Sequence, residues 1–165
     1  MLSISDMFFI REKRNYRIVI NGSKHKIICP VIQSPFGIES YGNKQILNIE
    51  IDIENADLND FYKNITNLDT NFQNINSIQN ANIDVVKQDI NKKQFISCIR
   101  NSKKGFIVRT HIKTGAIYHS EDGKQFYTSK ELKNKKLKPI IELGPLWITD
   151  DSYGYILYIT DIIVF

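Results

Sequence analysis

A β-rich α+β fold, its short strands closed into a small barrel with one helix packed against it, is what this sequence predicts. Three observations carry that expectation. Seven to nine short segments between Asn15 and Val164 are rich in β-branched and aromatic residues and alternate apolar with polar. One stretch, starting at Asp57, changes to a helical period. Strand and helix signals do not alternate as βαβ units would require. A barrel is the natural closure for so many short strands, because it leaves no unpaired edge. The 165 residues, 42% hydrophobic and 24% charged, read as one domain over 1–165. No boundary has linker composition, and 73–93 is a candidate insertion.

Asn15 to Asn21 (NYRIVIN) is the first alternating run, and Asn21-Gly22 supplies a tight turn onto a returning strand at Lys24 to Cys29. Pro30 and Ser34-Pro35-Phe36-Gly37 mark a loop. From Gln45 to Ile53, Leu47, Ile49, Ile51 and Ile53 share one face, while Asn48, Glu50 and Asp52 share the other. Leu58, Phe61, Tyr62, Ile65, Leu68 and Phe72 then follow helical spacing, with Asn55 or Asp57 as the cap and an end near Leu68 to Phe72. Gln94 to Arg100 and Gly105 to Lys113 form a hairpin around the basic turn Asn101-Ser102-Lys103-Lys104. Short strands at Ala116 to His119 and Gln125 to Tyr127 flank Glu121-Asp122-Gly123, and Ser129 to Leu132 makes one helical turn. Pro139 to Ile148 and Tyr153 to Val164 are the arms of a closing hairpin.

Charge is sorted into blocks. Lys87 to Lys138 holds 14 Lys/Arg against 4 Asp/Glu, whereas Glu39 to Val86 holds 2 against 8. The net charge of +4 hides this segregation. The basic block also carries Phe95, Phe106, Tyr118, Phe126 and Tyr127. Cations neutralise phosphates and flat rings stack on bases, so the pattern points to single-stranded nucleic acid.

The best-placed cations are Arg100, Lys103 and Lys104 at a hairpin tip, and Arg109 and Lys113 on one strand face with His111 between them. Stacking candidates are Tyr118, Phe126, Tyr127 and Trp147, while Phe106 falls on the more apolar face and reads as core. Tyr16, flanked by Arg14 and Arg17, is a second candidate patch.

Catalytic patterns are weak. His25, His111 and His119 are isolated, without metal-ligand spacing, and no P-loop, GxSxG or HExxH occurs. Glu50, Asp52 and Glu54 alternate on a strand face, which can resemble a metal-binding nuclease site, but without a neighbouring Lys base or Gly-rich phosphate loop they read as a solvated face. No cofactor is expected. Cys29 and Cys98 lie far apart and read as free thiols. No apolar run approaches the ~18 residues of a membrane span, and the start lacks a signal-peptide pattern.

The segment SPFGIESYGNKQILNIEI (Ser34 to Ile51), the helix ending near NLD (Asn67 to Asp69), FISCIRNSKKGFIVRTHI (Phe95 to Ile112), EDGK (Glu121 to Lys124) and LKPIIELGPLWITDDSYGYILYITDIIV (Leu137 to Val164) come in a familiar order. Together they resemble the OB-fold single-stranded DNA-binding proteins of large double-stranded DNA viruses, which are distantly similar to the counterpart of T7-like phages. The resemblance implies an OB-like barrel that coats single-stranded DNA during viral replication or recombination. It also implies an intracellular replication site, in cytoplasm or nucleus, and replication proteins as partners. One departure is plain: Asp161-Ile162-Ile163-Val164-Phe165 reads as a core strand where phage-type members carry a flexible acidic tail.

The separated charge blocks also suit head-to-tail contacts between copies on DNA. An RNA-binding OB protein, a virion structural or protein-interaction module, and a divergent nuclease at Glu50 or Asp52 stay open as alternatives.

Overall fold

The computed structural model describes residues 3–78 and 83–165. The chain opens with a hairpin of β1 (Met7–Glu12) and β2 (Asn15–Ile20), paired from Met7↔Ile20 to Glu12↔Asn15. Their two-residue turn, Lys13-Arg14, places Lys13 in the left-handed region at φ 58°. This differs from the expected pairing of Asn15–Asn21 with Lys24–Cys29. The Asn21-Gly22 turn forms and bridges Ile20 to Ser23. Beyond it the chain leaves as β3 (Lys26–Ile27) for another partner. The strand at Met7–Glu12, preceding the segments expected to form strands, fully buries Met7 and gives β2 six register positions.

β4 (Ile32–Ser34), β5 (Glu39–Tyr41) and β6 (Lys44–Ile51) follow. As the alternation predicts, Leu47, Ile49 and Ile51 are buried, but the strand ends at Ile51 and Ile53, expected on the same face, is exposed. Helix α1 (Ala56–Gln73) is capped by Asn55, whose side chain accepts from the Leu58 amide at 3.1 Å. It buries Leu58, Phe61, Ile65, Leu68 and Phe72. A second helix, α2 (Asp84–Ile90), stands in the stretch read as a candidate insertion, so one helix is an underestimate. It buries Val86 and Ile90, and its Asp89 meets Arg11 at 2.9 Å. Within 73–93, residues 79–82 lie outside the described residues.

The remaining strands are β7 (Gln94–Phe95), β8 (Ile99–Ser102), β9 (Gly105–Ser120), β10 (Phe126–Tyr127), β11 (Lys135–Ile148) and β12 (Ser152–Val164). β8 and β9 make the expected basic hairpin, but its first arm is shorter than predicted because Gln94 and Phe95 pair in parallel with β12. The two strands expected up to Lys113 and from Ala116 are one strand. Against β12, Ile112 pairs with Ile159 and Ile117 with Asp161, so the residues between them form a bulge in β9. Gly115, at φ 87°, makes that excursion possible. β11 and β12 form the predicted closing hairpin, from Leu137↔Val164 to Ile148↔Tyr153.

These strands belong to one mixed sheet along the path β1-β2-β11-β12-β9-β6-β5. β9 and β12 run parallel, and the outer edge of β11 is shared by β2, β3 and β4. The fold is β-rich, as predicted, but the path ends at β1 and β5 without joining them, so the expected barrel is not closed. Instead α1 lies across one face. Tyr62 stacks on Phe106 at 5.1 Å and Phe72 on Tyr155 at 4.9 Å. Tyr153 donates to the Phe72 carbonyl. Among the described residues, no helix is long and apolar enough to cross a membrane.

Candidate nucleic-acid interface

Alternation along β9 sends Val108 and Thr110 into the core and leaves Arg109, His111 and Lys113 on the sheet face away from it. Register then assembles a site on that face. Asn48 of β6 lies opposite Arg109, Ile46 opposite His111, and Tyr158 of β12 on the other side of His111. Two clefts open there. One, of about 830 Å³, is lined by Arg14, Tyr41, Lys44, Arg100, Arg109, His111 and Trp147, among others. The second, of about 790 Å³, takes in His111, Lys113, Tyr118 and Tyr158. Both include Lys44, His111 and Ile156, so they form one continuous groove. Among the described residues, no Asp or Glu lines either part.

Two glycines shape the floor. A Cβ on Gly154 would lie 2.7 Å from Trp147 Cζ2, and one on Gly144 would lie 2.6 Å from Tyr158 Cδ2. Each ring therefore occupies space that a side chain on the glycine would fill.

The cations differ in how they are held. Arg109 sits over the Tyr41 ring at 5.9 Å and donates to Asn48 Oδ1 at 3.4 Å, both neutral partners. Lys44, Arg100 and Arg109 make no ion pair with a described residue. Lys113, by contrast, pairs with Glu142 at 2.6 Å, which raises the lysine's pKa, and Arg14 pairs with Asp150. Burial, then the charges of Lys44 and Arg109, lowers the pKa of His111, so its ring is neutral near pH 7.

Seven sequence candidates thus share the groove: Arg14, Arg100, Arg109, His111, Lys113, Tyr118 and Trp147. The others do not line it. Lys103 and Lys104 occupy the two-residue tip of the β8–β9 hairpin. Lys104 instead lines a separate cleft with Glu50, Asp52 and Glu54. Tyr127 pairs with Tyr118 across β10 and β9, extending the line of rings, and carries Lys135 over its ring at 5.6 Å. Phe126 is exposed on the same short strand.

The patch around Tyr16 comes apart. Tyr16 is 2% exposed and donates to Asp89, so its ring packs in the core and offers no stacking surface. Its pKa is pushed up to about 12 by burial and by Asp89. Arg17 turns to Glu12 at 3.1 Å. Tyr41, Lys44 and Tyr158 are groove residues that sequence reasoning missed. Lys44 is one of two lysines in the acidic block, and Tyr158 alternates with buried Leu157 and Ile159, signals that would have found these two.

Both cysteines are free thiols, and burial pushes the Cys98 thiol up to about 12. Among the described residues, no three His, Cys, Asp or Glu side chains come together as a metal-binding group. In comparisons with known proteins, no family model and no curated protein sequence matches the chain.

Proposed function

We propose that this groove binds single-stranded DNA with little sequence preference and without catalysis. The single observation carrying that reading is the lining itself: Lys44, Arg100 and Arg109 stand without carboxylate partners beside the flat ring of Trp147. Free cations take phosphates, and stacked rings take any base at ~1–3 kcal/mol each. A duplex keeps its bases stacked inside, so the rings select unpaired strands.

The open sheet with α1 across one face is read here as an OB-like barrel left unclosed. The resemblance described above supports a role in coating and protecting DNA during viral replication or recombination, alongside replication proteins inside the infected cell. The acidic cleft at Glu50, Asp52 and Glu54 lies at the end of β6 away from Lys44. That separation suits cooperative contacts between neighbouring copies, and a binding isotherm on long DNA showing independent sites counts against it.

Trp147 is the only tryptophan, so binding is read from its emission. An oligo-dT titration is expected to quench it saturably, with the matched duplex far weaker. Equal affinity for the duplex, or saturation without any change in Trp147, rejects the proposal. A matched RNA oligomer that outcompetes dT shifts the assignment to RNA.

A further inference from the structure

Two groove cations are held by carboxylates, and the two pairs are of different kinds. Glu142 is 7% exposed and holds Lys113 at 2.6 Å and Lys24 at 3.6 Å. It is built into the sheet. Asp150 stands on the β11–β12 turn with its side chain 88% exposed, and it reaches Arg14, itself 58% exposed.

Neither turn depends on that pair. The β11–β12 turn is closed by Thr149 N to Ser152 O at 2.8 Å and braced by Gln94 N to Asp151 O at 2.9 Å. The β1–β2 turn is anchored by Ile148 N donating to Asn15 Oδ1 at 3.2 Å and by the Leu146↔Tyr16 bridge. The ion pair can therefore break by side-chain rotation alone, with both backbones left in place.

A carboxylate and a phosphate present the same two-oxygen edge to a guanidinium. Resting on the groove reading above, we propose that Asp150 is a built-in competitor for phosphate at Arg14. Its carboxylate occupies the guanidinium in the free protein and yields it to a backbone phosphate of the bound strand. An exposed pair is weak enough for such an exchange, and salt screens it.

The test is oligo-dT binding by Asp150→Asn, followed through Trp147 emission and through anisotropy of a labelled oligomer. Asp150→Asn is expected to tighten binding about 2- to 5-fold at low salt, with the gain fading as salt rises. Asp151→Asn makes the same change of charge on the same turn and is expected to give a smaller gain. In an Arg14→Ala background, Asp150→Asn is expected to give none. Wild-type affinity for Asp150→Asn overturns the proposal. So does an equal gain from Asp151→Asn, or a gain that persists without Arg14, because either assigns the effect to net charge. A wild-type chain that does not bind dT at all takes down the groove reading and this proposal together, whereas binding with a flat Asp150→Asn takes down this one alone.

Discussion

Removing Arg100 and Arg109 together is the sharpest test of where a strand lies. Among the described residues, these two and Lys44 are the groove cations without a carboxylate partner. Each phosphate contact on a single strand contributes a slope of ~−0.7 to log K against log salt. Three contacts give about −2.1, which means wild-type affinity falls roughly 18-fold between about 50 and 200 mM salt. Arg100→Ala/Arg109→Ala leaves about −0.7 and a fall of only about 2.6-fold over the same interval. If Arg14 and Lys113 also release their carboxylates, the wild-type slope reaches about −3.5, and the double variant still loses about 1.4 of it. Lys103→Ala/Lys104→Ala removes the same number of charges from the hairpin tip. Lys104 stands in the turn before β9, whose first residue, Gly105, is four residues from Arg109, ~13 Å at strand rise. Its slope is expected to match wild type. Anisotropy titrations of oligo-dT at four or five salt concentrations decide the matter. A normal slope in Arg100→Ala/Arg109→Ala beside a shallow one in Lys103→Ala/Lys104→Ala moves the strand to the hairpin tip and refutes the groove.

Three further outcomes follow from the geometry. His111 is held neutral by burial and by Lys44 and Arg109, and a bound phosphate favours its charged form, so binding takes up a proton. Affinity is expected to rise as pH falls from about 7 through the ordinary histidine range, and His111→Gln flattens that rise. Asp69 accepts from the Ser97 and Tyr155 hydroxyls beside α1, so Asp69→Ala leaves two donors unpaired and is expected to cost ~1–3 kcal/mol in urea unfolding. Burial raises the Asp69 pKa, so its contribution to stability is greatest in acid and falls as pH rises through that raised value, a dependence that Asp69→Asn removes. Gly154→Ala sets a methyl 2.7 Å from both Trp147 Cζ2 and the Ile96 carbonyl, and is expected to cost ~1–3 kcal/mol and shift the tryptophan emission.

What sequence reasoning reached was local. Period two along Gln45–Ile51 and Gly105–Lys113 set which side chains turn outward, and strand register then brought Asn48 against Arg109. Pairing across long distances was harder to see. The Asn21-Gly22 turn is a strong hairpin signal, yet it yields a single bridge, because β2 is already paired with β1 and its far edge meets β11. Barrel closure failed for a related reason: no rule of alternation says which edges meet. Tyr16 misled because its flanking arginines look like surface, while the strand turns only the odd residues outward there. Lys103 and Lys104 fall outside the groove, at the hairpin tip, since charge density along the chain says nothing of which cleft a residue lines.

Segregation of charge, rather than its total, is what makes the groove electropositive. β6 begins with Lys44 in the groove and reaches Glu50 six residues later, ~20 Å away at strand rise, where the acidic cleft opens. The β9 strand beside it runs the opposite way, so its outward cations Arg109 and Lys113 fall near Lys44 and its Gly105 end falls near the carboxylates. Antiparallel pairing thus sets His111 and Lys113 toward the Lys44 end of the ladder and Glu50 toward the other end, where Lys104 also lines the acidic cleft. On the proposed reading, a strand approaching the molecule meets more unpaired cations at the Lys44 end than at the Glu50 end, although the chain carries only +4. Such a field steers polyanions to one face and falls with ionic strength. Net charge would not distinguish a chain in which the same residues were interleaved, and the ladder register does.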